Sequence, residues 1–338
     1  MTANSEYTPV LQAYPSDCQP QGVTFLDAAG GFSGARLWRL ETPRGPACLR
    51  RWPVEQLAER LEFIQAVLWH VDQEGFHLIS VPWETSERAG YVRHDGFLWE
   101  LSPWMPGTAD YEREPSLPKL EAALVALAQF HGAADSFPLP DTRRVTSPGI
   151  SERRERLREW MAGGSQRLAA AVGATQPGGS WPELDLRARE LLQFFPRASH
   201  KVAPLLESAA ELRVGLQPCI RDIWHDHVLF IGQEVSGLID FGAMRTENVA
   251  ADVARLLGSL AGDDEADWNA GLEAYQSLAP LSEAERQLVT AFDRSTVLMA
   301  GLQWLEWIYV EGRRFADRNG VLKRLDAHLC RLATLAGS

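Results

Sequence analysis

The feature that most constrains this chain is a change of period at Ser102-Pro103-Trp104-Met105-Pro106-Gly107. Before it, apolar runs of strand length alternate with turn residues; after it, apolar residues recur at helical spacing. Strands gathered at one end and helices at the other describe an α+β chain rather than an alternating α/β one. At 338 residues the chain suits two lobes. The boundaries read as an N-terminal extension over 1–19, a β-rich N-lobe over 20–101 and a helical C-lobe over 102–338.

In the N-lobe, residues 23–27, 35–42 and 47–52 read as strands. The glycine-rich turn Ala29-Gly30-Gly31-Phe32-Ser33-Gly34 separates the first two, and Pro43-Arg44-Gly45-Pro46 the next two. Leu57, Leu61, Ile64, Leu68 and Val71 share one face of a helix expected over 54–72. A hairpin turning at His94-Asp95-Gly96 returns through an apolar strand over 97–101. In the C-lobe, helices are expected over 117–134, 151–171, 184–212, 248–259, 297–314 and 321–335. Ser282-Glu283-Ala284-Glu285 opens a further one with a capping box.

Hydrophobic residues make up 45% of the chain, enough for a substantial core, and the net charge is −12. That charge repels phosphate backbones and anionic lipid, which argues against nucleic acid or membrane as a general partner, and it suits a cationic small molecule. Cys18, Cys48, Cys219 and Cys330 form no metal-ligand spacing and read as reduced thiols. With no apolar run of bilayer length and no secretory start, the expected location is the cytoplasm.

One β-like island interrupts the helical half. It runs Cys219-Ile220-Arg221-Asp222-Ile223-Trp224-His225-Asp226-His227, then Val228 to Ile231, a turn at Gly232-Gln233-Glu234, and Val235-Ser236-Gly237-Leu238-Ile239-Asp240-Phe241-Gly242. An antiparallel hairpin brings its open ends together, so His227 and Asp240 should sit side by side, with Asp222 on the loop leading in. Two carboxylates and an imidazole at one strand end suit phosphoryl transfer. One carboxylate orients or deprotonates a hydroxyl, and the other holds a metal against phosphates.

This stretch resembles the catalytic and metal loops of the aminoglycoside phosphotransferase-like small-molecule kinases, relatives of the protein kinases. In that family the pattern is His-Gly-Asp-Leu-His-Pro-Gly-Asn-Val-Leu-Phe, a hairpin, then Leu-Ile-Asp-Phe/Trp-Gly. The resemblance covers residues 20–335 and implies a protein-kinase-like two-lobed fold with ATP between the lobes. It makes Asp222 the catalytic residue and Asp240 a ligand of Mg2+ or Mn2+. Asp252 matches a helix-start aspartate. Gly30, Gly31, Ser33 and Gly34 resemble the nucleotide loop, and backbone groups from Glu100 to Ser102 would bind adenine. The implied activity is ATP-dependent transfer to a hydroxyl of a small molecule: an aminoglycoside, homoserine, choline or a similar amino alcohol.

The departures are specific. Ile220 stands where the family has His. His227 stands where it has the second metal ligand, Asn, so His227 either joins Asp240 at the metal, yields to Asp226, or is a loop histidine without metal. Arg50 occupies the place of the phosphate-gripping Lys or is a solvent-facing strand residue, and a planar guanidinium is not equivalent to an ammonium. Glu62 is the candidate carboxylate to pair with Arg50, with Glu59 competing. Trp304, Glu306, Trp307 and Tyr309 form either core or a substrate pocket. The substitutions at Arg50, Ile220 and His227 motivate an alternative, a nucleotide-binding pseudokinase without turnover; retention of both Asp222 and Asp240 opposes it.

Overall fold

The structure, a computed structural model, describes residues 6–26, 34–140, 144–174, 181–315 and 317–337. They group into two compact units, Met1–Pro138 with Asp222–Arg245, and Leu139–Arg221 with Thr246–Ser338.

The first unit is built on β1 (Gly22–Leu26), β2 (Arg36–Thr42), β3 (Gly45–Arg51), β4 (Val92–His94) and β5 (Phe97–Pro103). They form one antiparallel sheet in the order β1-β2-β3-β5-β4. Side chains alternate across it. Trp38, Leu40, Ala47, Leu49, Trp99 and Leu101 bury on one face, with Trp38 and Trp99 stacked at 5.2 Å. That face is closed by Tyr7, Val10, Leu11, Tyr14 and Cys18, from around the short helix α1 (Thr8–Leu11), so residues read as an extension complete the core. The alternate residues of β3 and β5, Cys48 and Arg50 with Leu98, Glu100 and Ser102, share the opposite face. There Leu98 and Trp52 pack on Leu61 of α2 (Ala58–Gln73).

Helix α2 starts at Ala58 because Leu57 is its N-cap, in extended conformation; Leu57 is 68% exposed and no part of the apolar stripe. Helix α3 (Leu117–Asp135) is capped by the Ser116 hydroxyl, which accepts from the Lys119 N–H. The β-like island is a hairpin of Val228–Ile231 with Glu234–Leu238, and it belongs to this unit. It is tied to the chain after β5 by reciprocal backbone bonds between Thr108 and Phe230. Gly107, at φ +95°, permits this approach: a Cβ there would lie 2.7 Å from the Phe230 carbonyl oxygen.

The second unit is helical: α4 (Pro148–Glu159), α5 (Ser165–Gly173), α6 (Pro182–Glu211), α7 (Ala250–Leu260), α8 (Glu265–Gln276), α9 (Glu283–Leu305) and α10 (Arg318–Gly337). The helix expected over 151–171 is interrupted by a π-type turn at Trp160–Gly164, and a second such turn, Glu306–Val310, ends α9. The capping box is present: Ser282 Oγ accepts from the Glu285 N–H, and Glu285 Oε2 accepts from the Ser282 N–H at 2.8 Å. Among the described residues, no helix is long and apolar enough to cross a membrane. The four cysteines are free thiols.

Candidate active site

The hairpin pairs Val228 with Leu238 and Ile231 with Glu234, and buries Val228, Phe230 and Leu238. The Ile239 N–H donates to the His227 carbonyl at 3.0 Å, which closes the mouth and sets His227 beside Asp240. Asp240 adopts φ 61°, ψ 70°, a left-handed conformation uncommon outside glycine and frequent at functional sites. Its Oδ1 lies 3.1 Å from Arg50 Nη1, and its Oδ2 lies 3.7 Å from His227 Nε2. Burial resists ionisation of Asp240, but the Arg50 charge and then His227 outweigh it and hold the carboxyl below its ordinary value.

Arg50 stands on the sheet face away from the Trp38–Trp99 core, its guanidinium 4.8 Å from the Trp52 ring. Glu100 lies opposite it in register, is buried, and accepts from Gln65 Nε2 at 2.6 Å. Burial raises the Glu100 carboxyl above its ordinary range, against the lowering pull of Arg50 and Gln65. Glu62 does not pair with Arg50: its Oε1 accepts from the Tyr91 hydroxyl at 2.7 Å, on the exposed side of α2. The polar α2 side chains that turn inward include Gln65 and Arg60, and Arg60 Nη2 donates to the Gly242 carbonyl at 2.7 Å.

The backbone of Glu100 and Ser102 is committed to the sheet. Bonds from Trp52 N–H to Leu98 O and from Trp104 N–H to Pro46 O set the phase of the β3–β5 ladder. That phase puts Glu100 and Ser102 at its bonded positions, opposite Arg50 and Cys48. Leu101 O accepts from Trp83 N–H at 2.8 Å. These groups therefore do not face out for adenine as expected. Gly34 sits at φ +79°, where glycine is favoured; Gly30, Gly31 and Ser33 lie outside the described residues.

Asp222 is exposed, and its carbonyl accepts from His227 Nδ1 at 2.7 Å. His227 Nε2 accepts from Trp224 Nε1 at 3.0 Å. Asp226 lies nearer to His225, at 3.6 Å.

The two residues before Asp222 belong to the second unit and are held by buried acids there. The Asp252 carboxylate accepts from the backbone N–H of Ile220 and of Arg221, each at 2.6 Å. Arg221, at φ 72°, donates from Nη1 to Glu247 at 2.5 Å. Glu247 is 1% exposed and also accepts from Ser147 Oγ, Gly149 N–H and Asn248 N–H. Ile220, in the place of the family's His, is buried, so its contribution is the backbone N–H.

The model of the phosphotransferase enzyme family matches residues 24–288. The chain belongs to that family. Among curated relatives, the homoserine kinase of Rhizobium rhizogenes strain K84 is 36% identical over 276 residues, spanning 80% of this chain and 76% of the relative. An aminoglycoside phosphotransferase from Alicyclobacillus acidocaldarius superposes with TM-score 0.63 at 17% identity, covering 97% of this chain and 93% of its own. An amicoumacin kinase solved in complex with AMP-PNP, Ca2+ and Ami gives TM-score 0.62 at 13% identity, covering 92% of this chain and 88% of its own. The fold is protein-kinase-like, and the chain is a small-molecule kinase.

As a member of the phosphotransferase enzyme family, the chain carries Arg50, Asp240 and His227 together at the hairpin mouth. Glu62 lies apart from them. Sequence reading missed Gln65, Arg60 and Glu247. A signal for Gln65 existed: it is a polar residue four places beyond Leu61, beside the apolar stripe of α2. The late aromatic cluster is partly structural, since Glu306 accepts from Trp160 Nε1 at 3.0 Å and the Tyr309 hydroxyl donates to Asp185 at 2.6 Å.

Proposed function

We propose that this kinase moves the γ-phosphoryl group of ATP to a hydroxyl of a small hydroxy amino acid or amino alcohol, with homoserine the first acceptor to test. The observation that carries the reading is Asp240, held ionised at the mouth of the hairpin between Arg50 and His227. The relatives named homoserine kinase support the acceptor class.

In this reading the acceptor oxygen bonds to the γ-phosphorus, the bond to the β–γ bridging oxygen breaks, and ADP leaves with that electron pair. Asp222 orients the hydroxyl and takes its proton. Arg50 supplies positive charge to the phosphates, and the amides of Gly30, Gly31, Ser33 and Gly34 cradle them. The donor set fits a divalent metal: an ionised, half-exposed carboxylate at Asp240, with His227 beside it. Mg2+ or Mn2+ held there would neutralise charge gathering on the phosphoryl oxygens. His227 would join such a site only by releasing the Trp224 indole from Nε2.

The test is ADP release with ATP and a panel of hydroxyl acceptors, run with Mg2+ and Mn2+, alongside thermal unfolding with nucleotide. Nucleotide with metal should raise the melting temperature, and one acceptor class should give turnover. No stabilisation by millimolar ATP or GTP with either metal contradicts the reading.

A further inference from the structure

The acid directly opposite Arg50 on the sheet does not pair with it. Arg50 and Glu100 are register partners on β3 and β5. Residues so placed have Cβ atoms about 5 Å apart, and opposite charges there ordinarily meet. The charge of Arg50 acts on the Glu100 carboxyl. Yet among the described residues Asp240, at 3.1 Å, is the acid within ion-pair distance of Arg50. Glu100 is turned to α2 instead, where its Oε2 accepts from Gln65 Nε2 at 2.6 Å.

Gln65 is itself fixed. It is buried, and its Nε2 also donates to the Gly90 carbonyl at 2.9 Å. Two acceptors occupy both N–H groups of the amide, so its plane has no freedom to turn. Gly90 permits this approach: a Cβ there would collide with Gln65 Oε1 and with the Trp69 ring. Trp69, one turn beyond Gln65 on α2, is anchored in turn through Nε1 to the Pro82 carbonyl at 3.3 Å. The residue type matters as well. An acid at position 65 would repel Glu100 and compete for Arg50, whereas a neutral amide holds Glu100 and leaves the guanidinium alone. Glu62 is turned to Tyr91, and among the described residues no acid of α2 pairs with Arg50.

We infer that Gln65 is a positioning residue that holds Glu100 away from Arg50 and so keeps the Arg50 guanidinium available to the phosphates of the nucleotide. The inference rests on the reading of Arg50 as the phosphate-side cation of a kinase, and it adds the device that keeps that cation open. A buried carboxylate closing on Arg50 would fill its planar fork of donors and cancel its charge. Asp240 engages one arm of that fork, through Nη1.

The test titrates ADP with Mg2+, and adenosine, into the parent, Gln65→Met, Glu100→Gln and the variant carrying both substitutions. In Gln65→Met the released Glu100 closes on Arg50, so ADP should bind about 10-fold more weakly while adenosine stays within about 2-fold of the parent. Glu100→Gln alone should bind ADP at least as tightly as the parent. The doubly substituted protein should return to within about 2-fold of Glu100→Gln, because no carboxylate remains to capture Arg50. A residue that merely packs α2 would give a loss that persists in the double variant. The inference is overturned by that persistence, by unchanged ADP binding in Gln65→Met, by equal weakening of ADP and adenosine, or by weaker ADP binding in Glu100→Gln.

A second measurement uses no nucleotide and the milder substitution Gln65→Asn, whose shorter amide falls short of Glu100. The coupling between Arg50→Met and Glu100→Gln is read from urea unfolding in the parent and in Gln65→Asn. Charges in contact couple more strongly than separated ones, so the coupling should rise from about 3-fold or less in the folding equilibrium to about 10-fold. Equal coupling in the two backgrounds overturns the inference even if Gln65→Met fails to fold. A coupling that rises on loss of Gln65, in a parent that binds no ADP, leaves the restraint standing and removes the nucleotide reading instead.

Discussion

Two carboxylates of this chain, Asp240 and Asp252, live in opposite circumstances. Asp252 is fully buried and accepts two short backbone hydrogen bonds, from Ile220 and Arg221. Asp240 is half-exposed, sits on a left-handed backbone, and is met by side chains at 3.1 and 3.7 Å. The first is saturated by groups that have no freedom to leave. The second is held ionised by side chains that are free to exchange partners. A saturated buried acid fixes chain geometry, whereas an ionised acid with replaceable partners is equipped to bind. Glu247 repeats the pattern of Asp252, with four donors around a buried carboxylate.

The contrast can be broken by substitution. The largest effect is expected at the hairpin mouth: Asp240→Asn should lower turnover by about 10²-fold or more and weaken metal-dependent nucleotide binding, while the melting temperature without ligand changes little. Steady-state kinetics, nucleotide titration and thermal unfolding together check this. Asp252→Asn should do the reverse. It trades a charged acceptor for one that meets one of the two backbone donors with an N–H, and should cost about 3 kcal/mol of stability in denaturant titration. Equal stability losses in the two variants would erase the distinction.

A smaller, pH-dependent effect belongs to Glu100, whose carboxyl is raised by burial. The folded state then holds this proton to higher pH than the unfolded chain, so its contribution to stability is present below the unfolded value and is lost as pH rises through the folded one. Glu100→Gln should therefore be more stable than the parent at pH 7, with the gain shrinking towards pH 4. A gain that grows on acidification would mean Glu100 is ionised and favourably paired with Arg50.

The hairpin was legible in the sequence because two apolar runs flank the Gly232 turn, which brings His227 and Asp240 to the same open end; the register shift between Leu229 and Phe230 was not. Arg50 was legible through the period of two, which sends it to the face opposite Leu49. The capping box at Ser282 is local and was read residue by residue. What escaped depends on distant geometry. Glu62 lies on the face of α2 that meets Tyr91, and the helix start at Ala58 cannot be fixed when Leu57 is apolar yet exposed. Glu100 and Ser102 were misjudged because ladder phase, set by bonds at Trp52 and Trp104, leaves no trace in composition. Asp252 was matched to a motif, but its bonds to residues about thirty positions earlier have no local signature. Glu247 looks like an ordinary charge until its neighbours are known.

The central claim is that this hairpin and its loop perform phosphoryl transfer with Asp222 as the group that orients the acceptor. The most direct test is Asp222→Asn, with turnover and nucleotide affinity measured on the same preparation using an acceptor the parent turns over. The substitution keeps the shape of an exposed side chain, and the Asp222 carbonyl that receives His227 Nδ1 is untouched. The account predicts a fall in kcat of about 10²- to 10⁴-fold with nucleotide binding close to that of the parent. Turnover near the parental level in Asp222→Asn would contradict it.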